Sequence, residues 1–318
     1  MSPMTETRMA YGEALAELGE RNPDVVVLDA DLYNSTRTVL FRDKFPKRFF
    51  DMGISEADMA STAAGLAAAG MTPFINSFAI FATSICYLPV RTQIAYPNLR
   101  VIVAGSSAGL TQGPDGASHQ SLEDISLMRG LPNMTVIVPA DALETRQAVF
   151  AAAECPGPVY LRLGRYPVPD LNAPDYQFKI GKAVTLRDGN QVTLFATGHM
   201  VTKAVEAHEI LAQAGISARV VNVSTIKPLD EAAVLQSARE TSLLFSVEEH
   251  SIIGGLGSAL AEYLSGQANM PRLVRLGVRD EFGESAAAEE LLVRHRLTGP
   301  LIAEDVQAAL KNDALNIK

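Results

Sequence analysis

Only two of the 318 residues are cysteine, Cys86 and Cys155. They lie far apart and show no metal-ligand spacing, so a cysteine-based metal centre is excluded and two buried free thiols are expected. Free thiols fit a reducing, cytoplasmic setting. Basic blocks are missing as well. No run of five or more Lys or Arg occurs and the net charge is −9, which argues against nucleic acid as a partner. Acidity does not exclude phosphorylated ligands, because a few local arginines can bind them. The first residues, Met1 to Arg8, lack the basic-then-apolar layout of a secretory signal. Charge of either sign is absent from Ala60 to Val90, a run long enough to cross a bilayer. Gly65, Gly70, Pro73, Asn76 and Pro89 interrupt it, so it reads as two buried elements separated by a turn, not a membrane span. With 47% hydrophobic and 20% charged residues, the chain is expected to fold as a soluble protein of two ordinary-sized domains.

Short apolar runs alternate with helical patterns. Strands are expected at Val25–Ala30, Phe49–Gly53, Thr72–Asn76, Arg100–Gly105, Thr135–Pro139 and Val159–Leu163. Helices are expected at Met9–Glu20, Glu56–Ala69, Ile80–Ala95, Ser121–Gly130 and Ala142–Glu154. Continuous apolar strands between helices imply a mostly parallel sheet covered on both faces. Pro167, Pro169 and Pro174 then fall among polar residues, which reads as a linker. The alternation restarts with strands at Val192–Ala196, Ala218–Val223, Leu243–Glu248 and Leu273–Leu276, and helices at Val201–Gln213, Glu231–Glu240, Gly257–Ser265 and Ala286–Val293. The pattern predicts two doubly wound α/β domains, 1–168 and 186–318, joined by a linker at 169–185.

Three places carry residues of chemical interest. Phe49–Gly53 reads as a strand end and Ser55-x-x-Asp58 as a capping box, which places Glu56 at the first position of a helix. Alone, Glu56 reads as a carboxylate complementing the helix dipole, worth ~0.3–1 kcal/mol. Phe78 and Phe81 are three apart and share a helical face; alone, they read as core. Gly109 to Gln120 reads as a loop after a strand, and such loops line the binding crevice of an α/β sheet. Alone, Asp115-Gly116 is a tight turn and His119 a helix cap.

Taken in order, Ile54-Ser55-Glu56-Ala57-Asp58-Met59, Phe78-Ala79-Ile80-Phe81 and Gly113-Pro114-Asp115-Gly116-Ala117-Ser118-His119-Gln120 resemble the pyrimidine-binding half of transketolase-like, thiamine-diphosphate-dependent enzymes. The resemblance implies that Glu56 hydrogen-bonds N1′ of the cofactor's aminopyrimidine and exchanges a proton there, a task suited to an acid in an apolar pocket. It implies that Phe78 and Phe81 stack on that ring, and that Asp31 and Leu32 border the cofactor at a subunit interface. It implies that Asp115 and His119 bind ketose hydroxyls and the oxygen that gains charge during reaction. Thr7-Arg8-Met9-Ala10, the Ala30–Ser35 segment and Leu161–Arg165 match segments that bind a substrate phosphate, which assigns Arg8, Ser35 and Arg165 to that group. Each of the three alone is a solvated surface residue. Departures from the family are Ser84 in place of a common tyrosine, Ser118 in place of threonine, a loop about two residues longer, and Gly105 in place of a histidine. They point to a substrate other than ordinary pentose phosphates.

The other half of such an enzyme is missing. The family binds diphosphate through Mg²⁺ with a Gly-Asp-Gly segment and a later asparagine, and neither Pro114-Asp115-Gly116 nor Arg187-Asp188-Gly189 fits. No metal ligands are therefore expected here. Val247-Glu248-Glu249-His250 and Gly254-Gly255-Leu256-Gly257 resemble the family's C-terminal domain, with the glycines as a strand-to-helix turn and His199 and His250 as structural residues. The resemblance implies the C-terminal subunit of a split transketolase. A separate N-terminal subunit would bring Mg²⁺ and the diphosphate site, and the assembly would be a dimer of heterodimers. The implied reaction moves a two-carbon ketol unit from a ketose, in the phosphorylated case a sugar phosphate, to an aldose. Rival readings are the β subunit of a 2-oxo-acid dehydrogenase, a deoxyxylulose-phosphate-synthase-like enzyme, and a non-catalytic binding module on the same fold.

Overall fold

The computed structural model describes residues 4–316, with side chains to residue 312, so Met1, Ser2 and Pro3 of the leading stretch lie outside it. Fourteen strands occur among the described residues. They are β1 Met4–Glu6, β2 Val25–Asp29, β3 Phe49–Asp51, β4 Thr72–Phe78, β5 Ile102–Ser106, β6 Thr135–Ile137, β7 Val159–Arg162 and β8 Pro167–Pro169. They continue as β9 Val184–Arg187, β10 Val192–Ala196, β11 Ala218–Asn222, β12 Thr225–Lys227, β13 Leu243–Ser251 and β14 Leu273–Val278. A seven-stranded sheet has the order β12-β6-β7-β5-β4-β2-β3, parallel except for β12. A five-stranded sheet has the order β14-β13-β10-β11-β9, parallel except for β9. The architecture is two doubly wound α/β layers with mostly parallel sheets.

Alternate residues of a strand face opposite sides, and the core is sorted accordingly. Val25, Val27, Phe74 and Ile102 pack with Tyr11, Leu15 and Leu18 of helix Thr7–Arg21 and Val149 of helix Ala142–Glu154. Val26, Leu28, Ile75 and Val103 pack on the opposite side with Met59, Ala60 and Ala63 of helix Glu56–Ala68. That second cluster does not end at the first sheet. It continues through Phe195, Val221 and Leu244 of the second sheet and Leu256 and Leu260 of helix Leu256–Ser265. The other face of the second sheet packs Val192, Leu194, Phe245 and Val247 against Met200, Ala204, Ile302 and Val306.

Several elements depart from the sequence pattern. β8 straddles the expected start of the linker and pairs antiparallel with β1, Met4 opposite Pro169, which suits prolines at a two-stranded edge. β12 leaves the C-terminal half and adds antiparallel to β6. The expected helix over 80–95 contains two π-helical stretches, Phe81–Ile85 and Val90–Ala95, on either side of Tyr87–Pro89. Pro89 has no amide hydrogen to donate, so regular α-helical bonding cannot pass through it. A further helix, Gly299–Asn316, lies beyond the elements read from the pattern. Among the described residues, no helix is long and apolar enough to cross a membrane.

Candidate functional site

Parallel strands bring the loops beyond their carboxyl ends to one edge of the sheet. Asp31, Leu32 and Ser35 follow β2, Glu56 follows β3, Phe78 ends β4, Asp115 and His119 follow β5, and Arg165 follows β7. Arg8 sits in the first turn of helix Thr7–Arg21.

Glu56 opens its helix at the expected position and is 5% exposed. The capping box does not form. Ser55 occupies the N-cap with φ −144° and ψ 64°, and its hydroxyl makes no cap bond; its carbonyl instead accepts from Met59 N at 2.9 Å. The Glu56 carboxylate receives one hydrogen bond among the described residues, a long one of 3.4 Å from Ser77 Oγ. A buried carboxylate so sparsely bonded retains most of its capacity for a ligand. Cys86 Sγ donates to the Glu56 backbone carbonyl at 3.1 Å, and burial, with Glu56 nearby, pushes its thiol up to about 12. Both cysteines are free, but Cys155 is only half-buried, not buried as expected.

Phe78 and Phe81 stack with centroids 6.2 Å apart and planes at 25°. His119 stands edge-on to both, 6.0 Å from Phe78 and 5.3 Å from Phe81. Its Nδ1 is 2.9 Å from Ser118 Oγ. The 109–121 loop therefore reaches the aromatic pair from a neighbouring strand. Asp115 accepts from Gln112 Nε2 at 2.6 Å and from Arg165 Nη1 at 3.2 Å. The Asp115 and Arg165 side chains are 41% and 37% exposed, so this pair lies at the surface of the site. Gly105, on β5, is closely packed: a Cβ there would lie 2.6 Å from the Tyr160 hydroxyl, so a histidine would require Tyr160 to shift.

Arg8 and Ser35 also meet, though not as a ready anion cradle. Arg8 donates to Ser35 O at 3.0 Å and holds Glu6 through Nε at 2.9 Å and Nη2 at 3.2 Å. Burial pushes the Glu6 carboxyl up, and Arg8 and Arg37 more than offset this, leaving it below its ordinary value. Among the described residues, no hydrogen bond or ion pair joins Arg8 or Ser35 to Arg165.

Two carboxylates that the sequence pattern does not single out build this edge. Asp29 accepts from Leu32 N at 2.7 Å, Thr36 Oγ1 at 2.7 Å and Thr38 Oγ1 at 2.8 Å. It thereby shapes the loop of Leu32 and Ser35, and burial pushes its pKa up to about 6 against those bonds. Asp51 Oδ1 accepts from Asp31 N at 3.2 Å and Gly53 N at 3.0 Å, tying the Asp31 loop to the turn before Glu56. Asp31 and Gly53 both have positive φ, 58° and 66°. The Asp29 contacts are local and fit the short-range side-chain-to-backbone pattern of Asp. The Asp51–Asp31 contact spans twenty residues and has no local signal.

In the C-terminal half, Leu256 N and Gly257 N donate to Glu248 at 2.6 and 2.8 Å. A carboxylate already fills that helix start, so Gly254-Gly255-Leu256-Gly257 is a strand-to-helix turn. Burial raises the Glu248 pKa to about 7 despite these bonds. His199 and His250 are buried, and burial lowers their pKa values to about 3 and about 4. His250 Nδ1 donates to Ser251 O at 2.7 Å, while His199 packs on Tyr166 with neither ring nitrogen hydrogen-bonded. Among the described residues, no group of three or more His, Cys, Asp or Glu side chains could hold a metal ion.

The transketolase pyrimidine-binding domain matches residues 4–169, and the transketolase C-terminal domain matches residues 181–302. A solved structure described as a split gene transketolase, inactive beta4 tetramer, is 49% identical with a TM-score of 0.89; the match covers 96% of this chain and 98% of that one. A 6-deoxy-6-sulfo-D-fructose transketolase subunit of a Clostridium species is 43% identical over 92% of this chain and 90% of its own length. An apulose-4-phosphate transketolase subunit from Phocaeicola vulgatus is 36% identical over 92% of this chain and 94% of its own length.

Proposed function

The chain belongs to the transketolase family as the C-terminal subunit of a split enzyme, and from that premise we propose that it supplies the pyrimidine side of a thiamine-diphosphate site. The reaction is transfer of a two-carbon ketol unit from an anionic ketose to an aldose. The observation that carries this reading is Glu56: a buried carboxylate with a single long hydrogen bond, bonded to Ser77 next to the Phe78–Phe81 stack. These residues fit an aminopyrimidine, which needs one acid at a ring nitrogen and flat apolar surface for its faces.

When bound, the cofactor supplies a carbon acid that becomes a nucleophile after losing its proton. Glu56 holds and exchanges a proton at the pyrimidine N1′. Phe78 and Phe81 fix the ring by stacking and exclude water from it, while Asp31 and Leu32 border it. His119, edge-on to the aromatic pair, donates to the substrate oxygen that gains charge. Asp115 accepts from ketose hydroxyls. Arg165, half-exposed beside Asp115, takes the anionic end of the substrate, and Arg8 with Ser35 lines the same approach. The relatives named for a sulfonated and for a phosphorylated sugar bracket the anion that Arg165 would meet.

Mg²⁺ and the diphosphate are assigned to a separate N-terminal subunit, with two such pairs assembling as a dimer of heterodimers. Exposed Ile54, Ile85, Leu88 and Tyr96 support this, since they lie beside the Glu56 turn and on the segment packed against its helix. The domains span 1–168 and 186–318 with the linker at 169–185, and the setting is the cytoplasm. Native purification of the tagged chain, with subunit masses and thiamine diphosphate read on one sample, tests the reading. It predicts a second subunit and about one cofactor per pair. This chain alone, free of cofactor with Mg²⁺ and thiamine diphosphate added, favours a binding module.

A further inference from the structure

The loop that carries Asp115 and His119 is held from the C-terminal half of the chain. β13 runs beneath it with Glu248, Glu249 and His250 all buried. Glu249 Oε2 accepts from Thr111 Oγ1 at 2.7 Å and from Thr111 N at 3.1 Å. Gly109 lies on the same carboxylate: at φ 82°, a Cβ would sit 2.5 Å from Glu249 Cδ and Oε2. The far end of the loop is fixed the same way. Gln120 Nε2 donates to Gly113 O and to Glu284 O, both at 2.9 Å. Arg162 joins the two systems. Its guanidinium donates to Asp124 at 2.7 Å, and more weakly to Ser121 O at 3.4 Å and Glu249 O at 3.3 Å. His119 sits between these anchors: its ring meets Phe78, Phe81 and Ser118 Oγ, and its backbone N donates to Gly116 O at 2.9 Å.

A buried carboxylate is a costly way to fill space, and an apolar residue would pack as well. What the carboxylate adds is direction. Two hydrogen bonds to one residue fix the loop's backbone at its start, 138 residues away in sequence. We infer that Glu249 is a positioning residue for ketol transfer: by holding Thr111 it keeps His119 and Asp115 at their working distance from the Phe78–Phe81 pair. The inference rests on the reading that His119 and Asp115 face the substrate.

The test uses the full chain with Glu249→Leu, Glu249→Gln and Thr111→Val, read first by amide hydrogen exchange without partner or substrate. Glu249→Leu is expected to speed exchange within 109–121 about tenfold or more, while β10 and β11 keep parent rates. Glu249→Gln, which keeps an acceptor for Thr111, restores most of the protection. Thr111→Val reproduces part of the loss, and adding it to Glu249→Leu brings no further loss. With the partner subunit, Glu249→Leu lowers kcat about tenfold while cofactor affinity stays within about twofold. Parent-like exchange in 109–121, or equal acceleration in 109–121, β10 and β11, overturns the inference. If Glu249→Leu does not fold, Thr111→Val and Glu249→Gln decide the same question. Failure of the functional reading is separate: His119→Ala would then leave turnover unchanged whatever the loop's exchange shows.

Discussion

His119 meets Phe81 edge to face, with ring centroids 5.3 Å apart and planes at 77°. Sequence separation between them is large, and it is the adjacency of β4 and β5 in the sheet that brings them together. On the proposed function, this donor beside the aromatic pair acts on an oxygen of the ketose. His119→Ala should lower kcat by about 10²–10³, the usual cost of one oxyanion donor. Thiamine-diphosphate affinity should stay within a few-fold, because Glu56 and the Phe pair remain. Steady-state kinetics of the reconstituted enzyme, with cofactor titration alongside, separates the two.

Arg165 and Asp115 form a half-exposed ion pair, worth at most about 1 kcal/mol to stability. Arg165→Met should therefore leave the urea midpoint nearly unchanged. It should raise KM for the anionic donor about tenfold or more while kcat changes little, the pattern of lost uniform binding. The KM of the parent should also rise with salt and that of the variant should not.

Much of this arrangement is legible in the sequence. Val25–Asp29 and Ile102–Ser106 are buried on both faces, so their continuous apolar runs identify them as central strands. Glu56 at a strand-to-helix junction and His119 in a glycine-rich loop stand where the sequence places them, and family resemblance, not residue type alone, singles them out. Phe78 does not share a helical face with Phe81 as expected: it ends strand β4, and the pair meets across the turn into the next helix. What stays hidden depends on partners far away in the chain. β12 is three residues with no pattern of its own, stabilised by pairing with β6. Asp51 reads as an ordinary strand end until Asp31 arrives from another loop. Glu249 falls just past the expected end of the strand at Glu248, although β13 runs on to Ser251, and the distant Thr111 gives it a task. Ser55 shows the reverse error: the right residue stands at the N-cap, but its backbone angles carry the hydroxyl away from the cap bond.

Glu248 caps helix Leu256–Ser265 from inside the core. Glu248→Ala leaves two buried amide donors without an acceptor, which costs about 2–5 kcal/mol. Urea unfolding should show that loss at neutral pH, along with normal secondary structure in its absence. A change under about 0.5 kcal/mol would mean that water or another group satisfies the two amides.

His199 gives the stability a defined pH dependence. Burial lowers its pKa from 6.5 to about 3, so the folded state keeps it neutral. Between these values the unfolded chain binds the extra proton, so stability rises with pH and is lost on acidification below 6.5. The loss attributable to His199 at pH 4.5 is on the order of 3 kcal/mol. Asp29 and Glu248, raised to about 6 and about 7, act with the opposite sign over part of this range. The difference between parent and variant is therefore the quantity to read. His199→Phe should match the parent at pH 7.5 within about 1 kcal/mol and exceed it by on the order of 3 kcal/mol at pH 4.5. Parallel pH profiles for the two would contradict this assignment.

The role proposed for Glu56 is tested by deuterium exchange of the cofactor's reactive carbon proton in the reconstituted enzyme, parent against Glu56→Gln. Glutamine preserves shape and burial but cannot exchange a proton with the pyrimidine. Exchange is expected to slow by about 10² or more with cofactor content unchanged. Parent-like exchange in the loaded variant would contradict it and remove Glu56 from the centre of the mechanism.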